Sequence, residues 1–305
     1  MKIKKLLIAS IIAALVSAKI HAVEGLQYLR LPVFAESEGM AGAYTGIAIG
    51  PPAIFYNPAG LAFDERREYH LGTGYVDWLE GTSKETIYVI FPTHLYSKYF
   101  IQAASLDIFS AGSMTRYDAS GNEAGKLEYT DTAFNILLGG KRYDTAAWGG
   151  TFKILKESIA NYSGSGYAFD LGGLYAFSDL LRAGVSYSNI GTFSLDSIDV
   201  DLARTLRMGV GFTVPDRLFL LGIDWEKTAD DAYFHLGGQL AHRGYIFRAG
   251  WKDTGMGGEF TAGLGVSTQH IDSSEWGGQI FVNYSYMSGG VFKKSLHRFD
   301  VGVKF

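Results

Sequence analysis

Residues 206–214 put Leu206, Met208, Val210, Phe212 and Val214 on one side of an extended chain and Arg207, Gly209, Gly211 and Thr213 on the other. A period of two means a strand whose two faces meet different surroundings. The pattern returns as Tyr245, Phe247, Ala249 and Trp251 against Ile246, Arg248, Gly250 and Lys252, and as Phe260, Ala262, Leu264 and Val266 against Glu259, Thr261, Gly263 and Gly265. It recurs in Ile280, Val282, Tyr284 and Tyr286, and in Phe299, Val301, Val303 and Phe305. From about Tyr69 onward the alternation predicts fourteen strands, the first near 69–77 and the last at 296–305.

Alternation alone fits a soluble sandwich with its apolar face inward or a membrane barrel with that face outward. No apolar run, the one near the N-terminus included, reaches the roughly 18 residues of a membrane helix, so membrane residence must come from strands. Short connections such as 142–145, 178–179, 215–216 and 242–243 follow even-numbered strands, while the stretches 110–127 and 190–202, read as long loops, follow odd-numbered ones. That parity predicts an all-β, transmembrane, antiparallel up-and-down β-barrel of about 14 strands, with short turns and both chain ends on the inner side. Closure also removes the edges that a long apolar sheet would expose to aggregation.

Lys2, Lys4 and Lys5, the apolar run Leu6–Val16, and the small residues Ser17, Ala18 and Ala22 have the order of a secretory signal peptide. Cleavage after Ala22 is expected, with Ala18 as the alternative. Residues 1–22 then form the signal, and the remainder holds 23 basic against 31 acidic residues, a balance against nucleic acid as a partner. With no cysteine, neither disulfides nor thiolate chemistry can contribute.

Residues 23–66 do not alternate and are rich in Gly, Ala and Pro. They contain Gly39-Met40-Ala41-Gly42-Ala43, then Tyr56-Asn57-Pro58-Ala59-Gly60-Leu61-Ala62. These motifs, about 25 residues, resemble the PorV/PorQ branch of the FadL-like barrels. The resemblance implies an N-terminal hatch (23–66) plugging an outer-membrane barrel (67–305), with Gly39, Met40, Gly42, Asn57, Pro58, Ala59 and Gly60 as its hatch or gating motif. The terminal strand, through Phe299, Val301, Val303 and Phe305, would be read by the barrel-assembly machinery. From the residues themselves, Pro58 stiffens a turn, Asn57 can bond its own backbone, and Ala59 and Gly60 allow close approach to a wall. Inward glycines, among them Gly172, Gly184, Gly209, Gly211, Gly250, Gly263, Gly265 and Gly302, either make room for the hatch or permit strand twist.

Catalytic and metal chemistry find little support. The histidines at 70, 94, 235, 242, 270 and 297 have no ligand-type neighbour at a metal spacing, and no Gly-x-Ser-x-Gly elbow or P-loop is present. Asp230, Asp231 and His235 could at most form a rim hydrolase group. Asp196, Asp199 and Asp201 offer too few oxygens for calcium, which takes about 6–8. The expectation is a non-enzyme without cofactor or metal in the bacterial outer membrane, partnered by outer-membrane lipid and the assembly machinery. FadL-like passage of small hydrophobic molecules through a lumen with few charges ranks first. A PorV-like accessory role, with secretion components as partners, is the alternative.

Overall fold

The computed structural model describes residues 24–64, 68–92, 100–214, 218–229, 231–253, 257–268, 278–289 and 294–305. The expected signal peptide, His94, Asp230 and His270 lie outside them. The strands are β1 (Glu24–Gly25), β2 (His70–Asp77), β3 (Ser83–Pro92), β4 (Phe100–Tyr117), β5 (Glu123–Tyr143), β6 (Ala146–Ile159), β7 (Tyr162–Ala176) and β8 (Leu181–Leu195). There follow β9 (Ile198–Leu202), β10 (Thr205–Thr213), β11 (Phe219–Lys227), β12 (Ala232–His242), β13 (Tyr245–Asp253), β14 (Gly258–Ser267), β15 (Gln279–Met287) and β16 (Leu296–Lys304).

Strands β2–β8 and β10–β16 form a closed ring of fourteen, antiparallel throughout, in which β16 pairs with β2 and β8 with β10. Each of the fourteen carries at least one exposed large apolar side chain on its outer face, from Leu71 on β2 to Phe299 and Val301 on β16. The apolar faces therefore point away from the lumen, the reverse of a soluble sandwich. Phe299, Val301 and Val303 lie along the outer face of β16, and Phe305 follows it, exchanging two backbone hydrogen bonds with Tyr69 and stacking on its ring at 5.8 Å.

The two expected long loops are strand. β4 and β5 continue to Tyr117 and from Glu123, joined by the turn 118–122, and β8 runs to Leu195 before β9 returns beside it. Most of 112–128 is exposed, so a polar ribbon wet on both faces has no apolar side to betray its period. Strands β4–β8 thus rise above the rest of the rim at one end, here the loop end; the end holding Phe305 and the connections 144–145 and 243–244 is the turn end.

Residues 24–64 lie inside the ring. β1 pairs in parallel with β9 at the loop end, and Asp64 sits beside His70 and Lys304 at the turn end, so the segment runs the length of the lumen. The first described residues are therefore at the opposite end from Phe305, against the expectation of both ends on one side. Short helices α1 (Ala35–Glu38) and α2 (Ala53–Tyr56) and two 3₁₀ turns, Gln27–Arg30 and Pro58–Phe63, carry the chain down. Its buried apolar residues, including Val33, Phe34, Met40, Tyr44, Ile47 and Leu61, form one core with wall residues Val76, Tyr88, Ile90, Ile101 and Leu137.

Candidate functional site

The wall is cut to fit the luminal segment. A methyl group built on Gly74 would meet Val33, on Gly139 Leu61 and Ala62, on Gly149 Pro58 and Ala59, and on Gly172 and Gly184 Asn57. Gly211 faces Ile47, Gly222 Ala43, Gly237 and Gly250 Met40, and Gly263 the α-carbon of Gly39. Many of these are register neighbours, such as Gly139 with Gly149, Gly149 with Gly172, and Gly222 with Gly237 and then Gly250. A glycine belt crosses the sheet where another backbone approaches closely. Of the glycines singled out from sequence, Gly265 and Gly302 instead face wall side chains, Asn283 and Arg248 for the first and Phe281 and Tyr88 for the second.

The turn at Asn57-Pro58 has a definite local cause. The residue before a proline is driven out of the helical region, so α2 stops at Tyr56 and Asn57 is extended at φ −164°. Pro58 then opens the 3₁₀ turn. Fully buried Asn57 donates through Nδ2 to the Thr45 and Gly173 carbonyls, 3.1 Å each, while its Oδ1 accepts from the Ala59 amide at 3.2 Å. The motif thereby ties two stretches of the luminal segment to β7. Gly60 does not approach the wall as expected: the atoms crowding it are the Ala48 carbonyl and the Ala53 side chain, within the segment itself. Gly39 is pressed against Gly263 and Arg248 of the wall, Met40 is fully buried, and Gly42 has φ +74°, following Ala41 at φ +55°.

The expectation of few charges in the lumen is wrong. Lys84, Asp107, Asp131, Lys153, Asp170, Arg207, Asp224, Glu226, Arg248, Arg298 and Asp300 all point inward and are buried. The sequence shows them on the polar faces of the strands, but all except Asp131, which accepts from Tyr129 two residues before it on β5, find partners on another strand or on the segment. Many bind segment backbone: Asp224 accepts from the Tyr44 and Thr45 amides at 3.0 and 2.7 Å, and Lys84 donates to the Tyr28 and Leu31 carbonyls at 3.1 and 2.9 Å. Arg298 donates to the Pro32 carbonyl at 3.1 Å, Thr261 to that of Gly39 at 3.0 Å, and Asp300 accepts from the Glu36 amide at 3.2 Å. A buried backbone group left without a partner costs about 1–3 kcal/mol, so wall and segment satisfy each other.

Above the segment, toward the loop end, lies a cavity of about 160 Å³. Leu31, Pro32, Trp78, Leu79, Met287 and Leu296 give it an apolar side, and Arg30, Glu38, Arg207, Glu226, His235, Lys252, Glu259, Lys294 and Arg298 a charged one. Most of these charges are paired: Arg298 with Glu38 at 3.2 Å, Arg207 with Glu226 at 3.2 Å, Arg30 with Glu24 at 2.6 Å, and Lys294 with Asp77 at 3.3 Å. Tyr56 also donates to Glu38, and His235 lies 2.7 Å from the Ala41 carbonyl and 3.4 Å from Glu226. The cavity residues come from eight or more separated stretches of chain, which sequence spacing could not assemble.

His235 and Asp231 are not brought together, since Asp231 closes the 228–231 turn with Thr228 while His235 faces the segment. Asp199 and Asp201 lie on β9, and Asp201 pairs with Arg204 at 3.5 Å. Among the described residues no group of three acidic, histidine or cysteine ligands could hold a metal.

The sequence matches no protein-family profile and no curated protein. The fold does have solved counterparts. A crystal structure of the Pseudomonas putida toluene transporter TodX superposes with a TM-score of 0.59 at 12% identity, covering 88% of this chain and 95% of that one. A Pseudomonas aeruginosa FadL homologue gives 0.58 at 12% identity, with 90% and 98% covered. The chain is an all-β, fourteen-stranded, closed antiparallel barrel with the fold of the FadL-type hydrocarbon channels.

Proposed function

We propose that this chain is an outer-membrane barrel that admits small molecules at its loop end and passes them along a lumen held shut by residues 24–64. The observation that carries the reading is the cavity of about 160 Å³ left between the segment and the loop-end rim of a barrel whose outer face is apolar all round. A dry apolar cavity of roughly 150 Å³ holds benzene, so cargo is of one-ring size. Its two-sided lining suits a molecule with an apolar body and a polar group better than a bare hydrocarbon. Asn57, Pro58 and Ala59 with Gly39, Met40, Gly42 and Gly60 act as the hatch that must shift for passage. Phe299, Val301, Val303 and Phe305 present the strand that the assembly machinery reads.

Purified protein reconstituted in vesicles tests this. Uptake of one-ring solutes well above that of protein-free vesicles is expected, together with heat-modifiable gel mobility and recovery in the outer-membrane fraction. Sealed vesicles would refute passage, and release with periplasmic contents would refute the location. One observation favours a second reading, an accessory of secretion or surface attachment: the ribbon of β4 and β5 stands above the rim exposed on both faces. Co-purification of secretion components, lost when residues 112–126 are deleted, would support that role.

A further inference from the structure

Two cavity charges are left out of the pairing described above. Lys252 on β13 and Glu259 on β14 stand directly opposite each other in the antiparallel register and both line the cavity. Directly opposed residues have Cβ atoms about 4.5–5.5 Å apart, close enough for opposite charges to meet. These two do not close an ion pair. The Lys252 ammonium instead lies over the Tyr233 ring, 5.0 Å from its centre, and the Glu259 carboxylate has no hydrogen-bond or ion-pair partner among the described residues. Glu226, which also feels the Lys252 charge, is held at close range by Arg207 at 3.2 Å and His235 at 3.4 Å. An ammonium and a carboxylate thus face one small cavity from adjacent strands, each half-buried and each open to a ligand, with the apolar side of Leu31, Trp78, Leu79 and Leu296 lining the same space.

We infer that the cavity binds a small zwitterion with an apolar side chain, of the amino-acid class: its carboxylate on Lys252, its ammonium on Glu259, its side chain on the apolar wall. A half-buried charge gains most from a ligand group that adds the opposite charge to the hydrogen bond. A ligand bearing one charge leaves one wall group unanswered, whereas a zwitterion answers both. The inference rests on the proposed entry of small molecules at this cavity and names their chemistry.

The test is calorimetric titration of the full-length protein in detergent with leucine, 4-methylpentanoate, isopentylamine and isopentanol, which share a body and differ in charge. Leucine is expected to bind about tenfold tighter than either singly charged analogue. Lys252→Met is expected to erase its advantage over the amine, and Glu259→Gln its advantage over the carboxylate. Equal affinity for leucine and isopentanol, a carboxylate that matches leucine, or no leucine binding at all overturns the inference. The ligand series on the unaltered chain decides the matter even if a variant fails to fold. Vesicles that admit isopentanol but show no preference for leucine would leave the proposed passage standing and remove only this assignment.

Discussion

Replacing Gly250 by alanine tests whether the glycine belt exists for the luminal segment or for the twist of the strands. The added methyl would lie 2.5 Å from the Met40 carbonyl carbon and 2.7 Å from the Ala41 amide nitrogen, both main-chain atoms. Ordinary contact begins near 3.4 Å, so the Met40–Ala41 backbone must retreat by roughly 0.7–0.9 Å. It cannot do so freely: Ala41 is held at φ +55°, its carbonyl by His235 at 2.7 Å, and the Gly39 carbonyl by Thr261 at 3.0 Å. Overpacking costs about 1–3 kcal/mol and each strained hydrogen bond about 1 kcal/mol, against a gain of roughly 0.5–1 kcal/mol from alanine's lower backbone entropy. The net expectation is a loss of about 2–4 kcal/mol. Gly173→Ala is the control, because its methyl points outward with nothing nearer than 3.7 Å; that variant should be neutral or slightly stabilised. Urea unfolding of barrels folded into vesicles, followed by tryptophan fluorescence and gel mobility, measures both. If the two variants lose stability equally, the belt serves strand curvature and the close fit to the segment is incidental.

Asn57→Ala removes two donors and one acceptor from a fully buried position and should cost about 2–4 kcal/mol in the same unfolding assay, with raised solute leakage through reconstituted barrels. Burial alone would raise the Asp64 carboxyl, but the His70 ring at 2.9 Å and the Lys304 ammonium at 3.5 Å outweigh it and hold the group below the usual aspartate range. A carboxyl depressed on folding stabilises above its unfolded value and ceases to as pH falls through the folded one; acid titration should therefore loosen the turn-end anchor only below the normal aspartate range, and Asp64→Asn should abolish that step. Phe305→Ala deletes the stack on Tyr69, worth about 0.5–1.5 kcal/mol, and should slow membrane assembly; normal insertion kinetics would remove Phe305 from the assembly signal.

The barrel was legible in the sequence wherever one strand face meets something apolar and the other does not, which is why 206–214, 245–252 and 259–269 read cleanly; Val210, Tyr245, Phe247, Phe260, Leu264 and Val266 are exposed on the outer face, while Leu206 is buried. The failures share a physical origin. The ribbon 112–128 is wet on both faces, so its strands carry no alternation. The lumen's charges were visible as Arg207 and Arg298, but they looked few because their partners, Glu226 and Glu38, lie on another strand and on the segment. The Asn57-Pro58 turn could be read from local rules, since proline dictates the backbone of the residue before it. What Asn57 holds, the Thr45 and Gly173 carbonyls, depends on tertiary contact alone.

The course of residues 24–64 from one rim to the other also constrains how the molecule can be made. A rod tied crosswise by Lys84, Asp224, Thr261, Arg298 and Asp300 cannot be slipped into a finished cylinder without breaking those bonds, nor can a finished cylinder be slipped over it. The sheet is expected to roll up around the segment, with Asp64 pinned beside the β16–β2 seam. In that sense the segment is a mandrel on which the wall is wound, and changes that weaken its grip on the wall should appear first as barrels that close slowly or fail to close.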